Sequence, residues 1–508
     1  MFFGQILPEY SSPCAPSLPD CTSGVKDSVP PVILLLYLQR IFWYYKHIMS
    51  DFKENNTMPR AENKMGYMPL GKLLLQMSLP MMISMFVQSL YNIVDSIFVA
   101  QISEDALTAV SLAFPIQNLM FSVAIGTGVG INSLLSRKLG EKDFEAVDKV
   151  ANNGIFLTIC GFIVFMLVGI FVPRVYFASQ TGNAEIIEYG VTYMSICMIA
   201  CAGVFGSITF ERLLMSTGKT GLSMVSQLTG TAFNLIFDPI LIFGLFGFPK
   251  MGIAGAALAT VLGQFAAMVV SFMLNVRKNK EIRLSFKGLR PEGNIIGKIY
   301  AVGVPSIIVM SIGSVLVYFL NIILGSFTTT AIAVYGVYFK LQSFVFMPVF
   351  GLNNGSVPIV AYNFGARNKK RVVKTIALTA LAACSIMLAG TLIFEIFPVP
   401  LLRMFNASDE MLSIGVVALR IIAVHFPLAA FSIILGSVFQ ALGKGIQSMV
   451  ISFVRQLIFL LPAAWLLSLT GKIDNIWWSF PIAEVFSLLI CCILFKSVYD
   501  KEIKNLSD

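Results

Sequence analysis

The sequence predicts an all-α integral membrane protein, with roughly twelve transmembrane helices in two pseudo-symmetric six-helix lobes. Three observations lead there: an apolar composition, long uninterrupted apolar stretches, and an internal repeat at constant offset. Of 508 residues, 56% are hydrophobic and only 12% are charged, and the mean hydropathy is +0.80. A water-soluble domain could not hide that much apolar surface in one core, so the solvent is lipid. The apolar stretches run long enough to cross a hydrocarbon core of about 30 Å, which takes about 20 helical residues each. A closed β-barrel, the other spanning architecture, would show short alternating strands instead.

The repeat has a spacing of 225 residues. Pro80 in MSLPMM matches Pro305 in VGVPSI, and 305 − 80 = 225. Gln117, Phe121, Gly126, Gly130 and Gly140 pair with Gln342, Phe346, Gly351, Gly355 and Gly365, and Gly218 in STGKT pairs with Gly443 in ALGKG. Each pair keeps the same offset, so one ungapped duplication covers the chain. The expected units are an N-terminal extension over 1–70, a first lobe over 71–280 and a linker over 281–296. A second lobe over 297–500 and a tail over 501–508 complete the chain. An even number of helices per lobe makes the repeats parallel, an arrangement in which substrate sits between lobes that rock alternately.

Net charge is +9, which in a soluble protein would point to nucleic acid; here the placement follows loop parity instead. Basic residues crowd Arg60 to Lys72, Arg137 to Lys149, Arg277 to Arg290, Arg367 to Lys374 and the tail, whereas alternate loops carry few. The positive-inside rule then puts both termini in the cytoplasm, in agreement with an even helix count. Residues 31–45 are short for a span and are interrupted by Arg40. The extension reads as an interfacial segment or as sequence upstream of a natural start at Met49 or Met58. Cys160, Cys197, Cys201, Cys384, Cys491 and Cys492 fall in or at the ends of apolar helices as packing residues. With only two histidines, His47 and His425, a histidine metal site or catalytic triad is hard to build.

The informative side chains are those that one lobe has and its twin lacks. Asp95 stands opposite Leu320, and Asp238 opposite Ala463. A carboxylate at the centre of a spanning helix costs about 2.5–3.5 kcal/mol, so it calls for a partner, a proton or a cation. Gln88, Tyr91, Asn92 and Asp95 share one helix face, as do Gln227, Thr231, Asn234 and Asp238; Thr260 and Gln264 offer a third. Such stripes suit an oxygen-lined proton or Na⁺ site, although Asn, Gln and Thr also serve as plain helix-to-helix hydrogen bonds. The second lobe carries Lys340, Arg420, His425, Arg455 and Glu484. Arg455 with Glu484 reads either as a structural ion pair or as a substrate or gating element. Pro80, Pro115, Pro239 and Pro305 lie within apolar helices and mark hinges, Pro80 and Pro305 above all. The GTGVG run at Gly126 to Gly130 follows no strand, and close helix packing explains it better than a nucleotide loop.

Taken together, SLPMM, YNIVDSIFVAQISEDALTAVSLAFP, GTGVGINSLLSRKLGEKD, FNLIFDPILIFG, GIAGAALATVLGQ and AYNFGARN resemble the multidrug and toxic compound extrusion (MATE) family, most closely its bacterial DinF-like branch. The resemblance covers nearly the whole chain from about residue 70. It implies a MATE/MOP-type exporter of the cell inner (plasma) membrane that moves small organic, often cationic and amphipathic compounds. Export would be driven by inward Na⁺ or H⁺, by alternating access, in a monomer that needs no other cofactor and no nucleic acid. It also implies a coupling-cation site at Asp95, Asn234, Asp238 and Thr260, with Na⁺ at Asp95, Asn234 and Asp238 as the metal form. Gln88, Tyr91, Asn92, Lys340, Arg455 and Glu484 are further candidates for the substrate path. A lipid-linked oligosaccharide flippase of the same superfamily would call for a strongly basic cavity, which the sparse intramembrane cations and the first-lobe acids disfavour. A membrane enzyme would call for a nucleophile, metal or acid–base cluster that the sequence does not offer.

Overall fold

The computed structural model describes residues 62–285, 290–405 and 407–507. Expectations for residues 1–61, including the interfacial segment and the start at Met49 or Met58, lie outside the described residues. Among the described residues ten helices are long and apolar enough to span a membrane, and two further helix pairs, each bent at a short break, bring the number to twelve if each pair is one span. The first lobe comprises α1 (Leu70–Ala100), α2 (Glu104–Gly140), α3 (Phe144–Phe171), the bent pair α4 (Ala184–Ile199) and α5 (Ala202–Ser216), α6 (Thr220–Phe243) and α7 (Ile253–Lys278). The second repeats this order with α8 (Gly293–Gly325), α9 (Thr329–Gly365), α10 (Lys369–Ile396), the bent pair α11 (Asp409–Ala423) and α12 (Phe426–Ala441), α13 (Gly445–Phe453) and α14 (Ser479–Val498). Among the described residues no strand forms; Asn368 and Ser507 make one isolated bridge.

The repeat reaches down to the devices that start and stop helices. Ser103 and Thr328, Asp143 and Asn368, and Asn183 and Ser408 each cap a helix by accepting a backbone N–H, and each pair is 225 apart. These are side chains that compete well for the orphan donors of a first turn. The bends come within one residue of the same rule. The 44° break follows Ile199 and the 49° break follows Ala423, so both lobes fold their fourth span at matching positions. Symmetry ends in the second lobe's fifth span, where a π-helical segment, Val454–Leu460, follows α13.

The lobes meet through exchanged partners: α1 packs on α9, and α2 on α8. Small residues make the approach possible. A Cβ on Gly351 would lie 2.5 Å from Met82 Cα, and one on Gly126 would lie 3.0 Å from the Gly303 carbonyl oxygen. Gly140 abuts the Tyr362 carbonyl, and its twin Gly365 abuts the Arg137 carbonyl. Since 362 − 137 = 225, the duplicated surfaces face each other about a pseudo-two-fold axis, an isologous contact within one chain.

Polar ties across the lobes concentrate at the basic end. Arg371 donates to the Met65 and Met68 carbonyls, both at 2.9 Å, Asn363 donates to Met65 O at 3.1 Å, and Ser78 to Leu352 O at 3.1 Å. Ser133 donates to Gln440 O at 2.5 Å, and Arg212 Nη1 to Asn354 Oδ1 at 3.1 Å. Further along, Asn118 reaches Ser314 at 3.3 Å, and the Phe86 and Phe344 rings meet edge to face at 6.2 Å. On the same helices Gln88, Asn92, Ser96, Ser111, Ser314 and Lys340 are exposed. The polar ties between the lobes thus gather at the basic end, and the exposed polar side chains lie along the helices beyond it.

Candidate functional site

The first-lobe stripes converge. Helix α1 supplies Tyr91 and Asp95, α6 supplies Asn234 and Asp238, and α7 supplies Thr260. Asp238 is fully buried, Asn234 nearly so and Asp95 half-buried. The Asp95 and Asp238 carboxyl groups are close neighbours, one from each helix. Two carboxylates side by side repel unless a proton or a cation lies between them. Asn234 sits beside the pair with its amide turned to suit a carboxyl neighbour. Its nitrogen donates to Asp238 Oδ2 at 2.5 Å and to the Tyr91 hydroxyl at 2.9 Å, and its oxygen accepts from Thr260 Oγ1 and Thr260 N, both at 3.1 Å. Close packing of α6 on α7 makes this reach possible: a Cβ on Gly263 would lie 3.1 Å from Asn234 Cβ.

The ring of oxygens around the pair comes from Asp95, Asp238, Asn234, Thr260 and Tyr91. These are hard ligands of the kind that hold a small cation, and equally a set able to hold a proton in place. Among the described residues there is no group of three or more His, Cys, Asp or Glu side chains fit for a metal ion, so a transition-metal centre does not fit the donors present. Next to the pair lie Tyr193 and Cys197 of α4, with Gln117 of α2 beside them. The site on α1 and α6 thereby borders α2 and α4.

Other candidates are placed elsewhere. Gln88 donates to Asn92 at 3.2 Å on an exposed face of α1, outside the carboxyl cluster. Gln227, expected on the face of Asp238, instead donates to Glu211 at 2.9 Å, and Ser226 joins it at 3.1 Å. The helical stripe continues geometrically, but a buried acid on α5 captures its far end. Glu211 was not singled out from the sequence, although an acid inside an apolar helix is a usable signal. Arg212, beside it, makes the bridge to Asn354 across the lobes.

In the second lobe, Lys340 is exposed on α9. Arg420 lies 3.9 Å from Glu395 near the surface. His425 stands at the 49° bend, its Nδ1 2.5 Å from Ile422 O and its ring packed among Phe346, Phe426 and Phe480. Arg455, in the π-helical segment, lies 3.7 Å from Glu484 of α14. The other Glu484 oxygen has no partner among the described residues, nor do the neighbouring Ser487 and Tyr338 hydroxyls. The twin positions of the first-lobe acids are apolar: Leu320 is fully buried, and Ala463 carries no polar atom.

Comparison with known proteins places this architecture. The family model described as MatE matches residues 80–240 and 305–466, two segments that begin 225 residues apart. The multidrug export protein MepA of Staphylococcus haemolyticus is 25% identical over 432 residues, which cover 85% of this chain and 94% of its own. A MATE protein crystallised in complex with MaL6 superposes with a TM-score of 0.82 at 23% identity, over 88% of this chain and 100% of its own. A multidrug resistance MATE family transporter of the MOP superfamily, in its outward-facing conformation, superposes with a TM-score of 0.83 at 22% identity and the same coverage. With its family model matching in both lobes and most of its length superposing on solved relatives, the chain belongs to the MatE family, that of the MATE multi-pass membrane transporters.

Proposed function

We propose that the protein is a secondary multidrug exporter that expels small amphipathic organic compounds, many of them cations, in exchange for an inward ion captured at Asp95 and Asp238. The name of the MepA relatives, multidrug export protein, supports the substrate class. The observation that carries the coupling reading is the close approach of two carboxyl groups from separate helices. H⁺ is the simplest ion to fit there, because one proton shared between two neighbouring acids needs no further ligand. With the basic end taken as cytoplasmic on the positive-inside rule, the lobe contacts gathered there and the exposed polar side chains beyond them support a cleft that opens outward from the plasma membrane.

The chain's own residues supply the coupling step. With both acids charged, α1 and α6 repel at the level of Asp95 and Asp238, and the site stays hydrated from the cleft. A proton or Na⁺ arriving from outside removes that repulsion and the cost of burying the charge. Tyr91, Asn234 and Thr260 then draw α1 against α6 and α7, which narrows the first-lobe face of the cleft and displaces bound substrate outward. Pro80 supplies the missing backbone bond that lets α1 bend.

Efflux of a fluorescent organic cation from proteoliposomes, with a pH gradient and a Na⁺ gradient imposed separately, tests this reading. The expected result is efflux under the pH gradient, reduced to background in Asp95→Asn and in Asp238→Asn. Efflux in either variant equal to that of the wild type would overturn the coupling site. Efflux under the Na⁺ gradient alone would replace H⁺ by Na⁺.

A further inference from the structure

The basic end holds a second feature, remote from the carboxyl pair. A crease of 940 Å³ lies where the lobes meet, and Lys142 of the first lobe, Arg367 of the second and the tail residues Glu502, Asn505 and Ser507 line it. The tail is pinned there: Ser507 donates from its hydroxyl to Arg367 O at 2.8 Å and accepts from Lys369 N at 2.9 Å. Glu141 also borders the crease, but Lys138 engages it at 2.6 Å; Glu502 is engaged by Lys444 at 2.5 Å. The acids of the crease are therefore spent. Lys142 and Arg367 have no acidic partner among the described residues, which leaves two unmatched positive charges, one from each lobe.

Their backbone makes the placement informative. Lys142 has φ +59° and Arg367 has φ +55°, and both close a helix in the same way. Asp143 N donates back to Lys138 O at 3.1 Å, and Asn368 N back to Asn363 O at 2.9 Å. Glycine or asparagine is the ordinary residue at such a left-handed cap, and a long side chain there costs about 1 kcal/mol. Both copies of the repeat accept that cost with a long cation. A general excess of basic residues at this end would be met at any neighbouring position without it.

We propose that the crease binds a phosphate-class anion, held between the Arg367 guanidinium and the Lys142 ammonium, and that this ligand ties the lobes together at the basic end. Guanidinium takes phosphate oxygens through two parallel N–H bonds and ammonium through its charge. Without the anion the two like charges repel across the crease. The ligand can touch both side chains only when the lobes are together, so it binds one conformation and shifts the population toward it. Because the groups are exposed, binding weakens as salt rises. A lipid headgroup and a soluble phosphate compound share this chemistry.

The full-length protein decides between them, with no ion gradient applied. Pyrophosphate is titrated into protein in phosphatidylcholine nanodiscs, and phosphatidylglycerol nanodiscs are compared with phosphatidylcholine alone. The readouts are the melting temperature and the distance between spin labels placed on the two sides of the crease. Expected is a rise in melting temperature and a narrower distance distribution with at least one probe. Its apparent affinity should fall at least about tenfold in Lys142→Gln/Arg367→Gln. The swap Lys142→Arg/Arg367→Lys should retain binding, and Glu141→Gln should leave it intact. A response to pyrophosphate assigns a soluble ligand, and one to phosphatidylglycerol alone assigns the lipid. No response to either probe, or an undiminished response in the double Gln variant, would overturn the proposal, and the ligand-free melting temperature of that variant reports that it has folded.

Discussion

At the scale of residues, the chain separates two kinds of buried charge. Asp95 and Asp238 have each other and a ring of oxygens, whereas Glu484 has Arg455 at 3.7 Å and one oxygen left without a partner. Removing one member of a buried pair strands the other, at about 3–5 kcal/mol, while replacing both by apolar groups is often neutral. Arg455 is one-quarter exposed, which places this pair at the lower end. Thermal unfolding in detergent should therefore show Arg455→Met strongly destabilised and Arg455→Met/Glu484→Leu largely recovered. Equal melting temperatures for the single and double variants would mean that the pair serves the transport path rather than the fold. The acids themselves were legible in the sequence, because a charge in an apolar helix with an apolar twin stands out by itself. The diversion of Gln227 was not, because which neighbour a side chain meets is set by helix packing and not by spacing along one helix, whereas Glu211, an acid in an apolar helix opposite Gly436, carries the same signal as the other two.

At the scale of elements, the linker is anchored by chemistry that sequence periodicity does not carry. Lys219, in the turn before α6, forms an ion pair with Glu281 and donates to Asn279 Oδ1 at 3.3 Å. Asn63 reaches the same place through Thr217 O at 2.9 Å. Burial holds the Lys219 ammonium below its usual pKa, and Glu281 opposes that shift. A folded-state value below the unfolded one means that the charged lysine burdens the native protein. Stability should accordingly rise with pH from the folded value up to about 10.4, where the unfolded lysine also loses its proton. Glu281→Gln removes the opposing charge, widens that window and should cost about 1–3 kcal/mol at neutral pH. Melting curves of wild type and variant from neutral to alkaline pH check both the sign and the widening. The helices, by contrast, were readable as apolar runs of spanning length. Pro427, in the first turn after the second bend, is a local signal for it, but the bend after Ile199 and the π-helical stretch at Arg455 carry none in their apolar runs.

At the scale of the whole molecule, the lobes touch through the same surfaces in exchanged roles, and glycines set how closely they come. Gly351→Leu would place side-chain atoms where Met82 backbone now lies. Overpacking of this kind costs about 1–3 kcal/mol, charged here against the closed basic end alone. That is a shift of about five- to 150-fold in the balance of conformations. Spin-label distances across the basic end should lengthen in Gly351→Leu and in its twin Gly126→Leu, while helix content stays unchanged. If distances lengthened in neither, the lobes would not be closing on these glycines. The lobe organisation follows from the constant offset of the repeat, which any fold must honour by building the same unit twice. The exchanged pairing of α1 with α9 and α2 with α8 is a choice among ways to dock two such units, and only the three-dimensional structure specifies it.

Leu320 and Ala463, the apolar twins of the two acids, carry a consequence for how force is generated. On the proposed mechanism only one half of the duplicated machine takes up the driving ion, so only that half changes its internal energy during the cycle. The other half works as a stator: it supplies the counter-surface against which α1 pushes and keeps its own shape while doing so. Because α1 bears on α9 rather than on its own twin, every movement of the ion-loaded helix is delivered directly to the passive half. A machine assembled from two equal parts thus acquires a direction by leaving one of them uncharged.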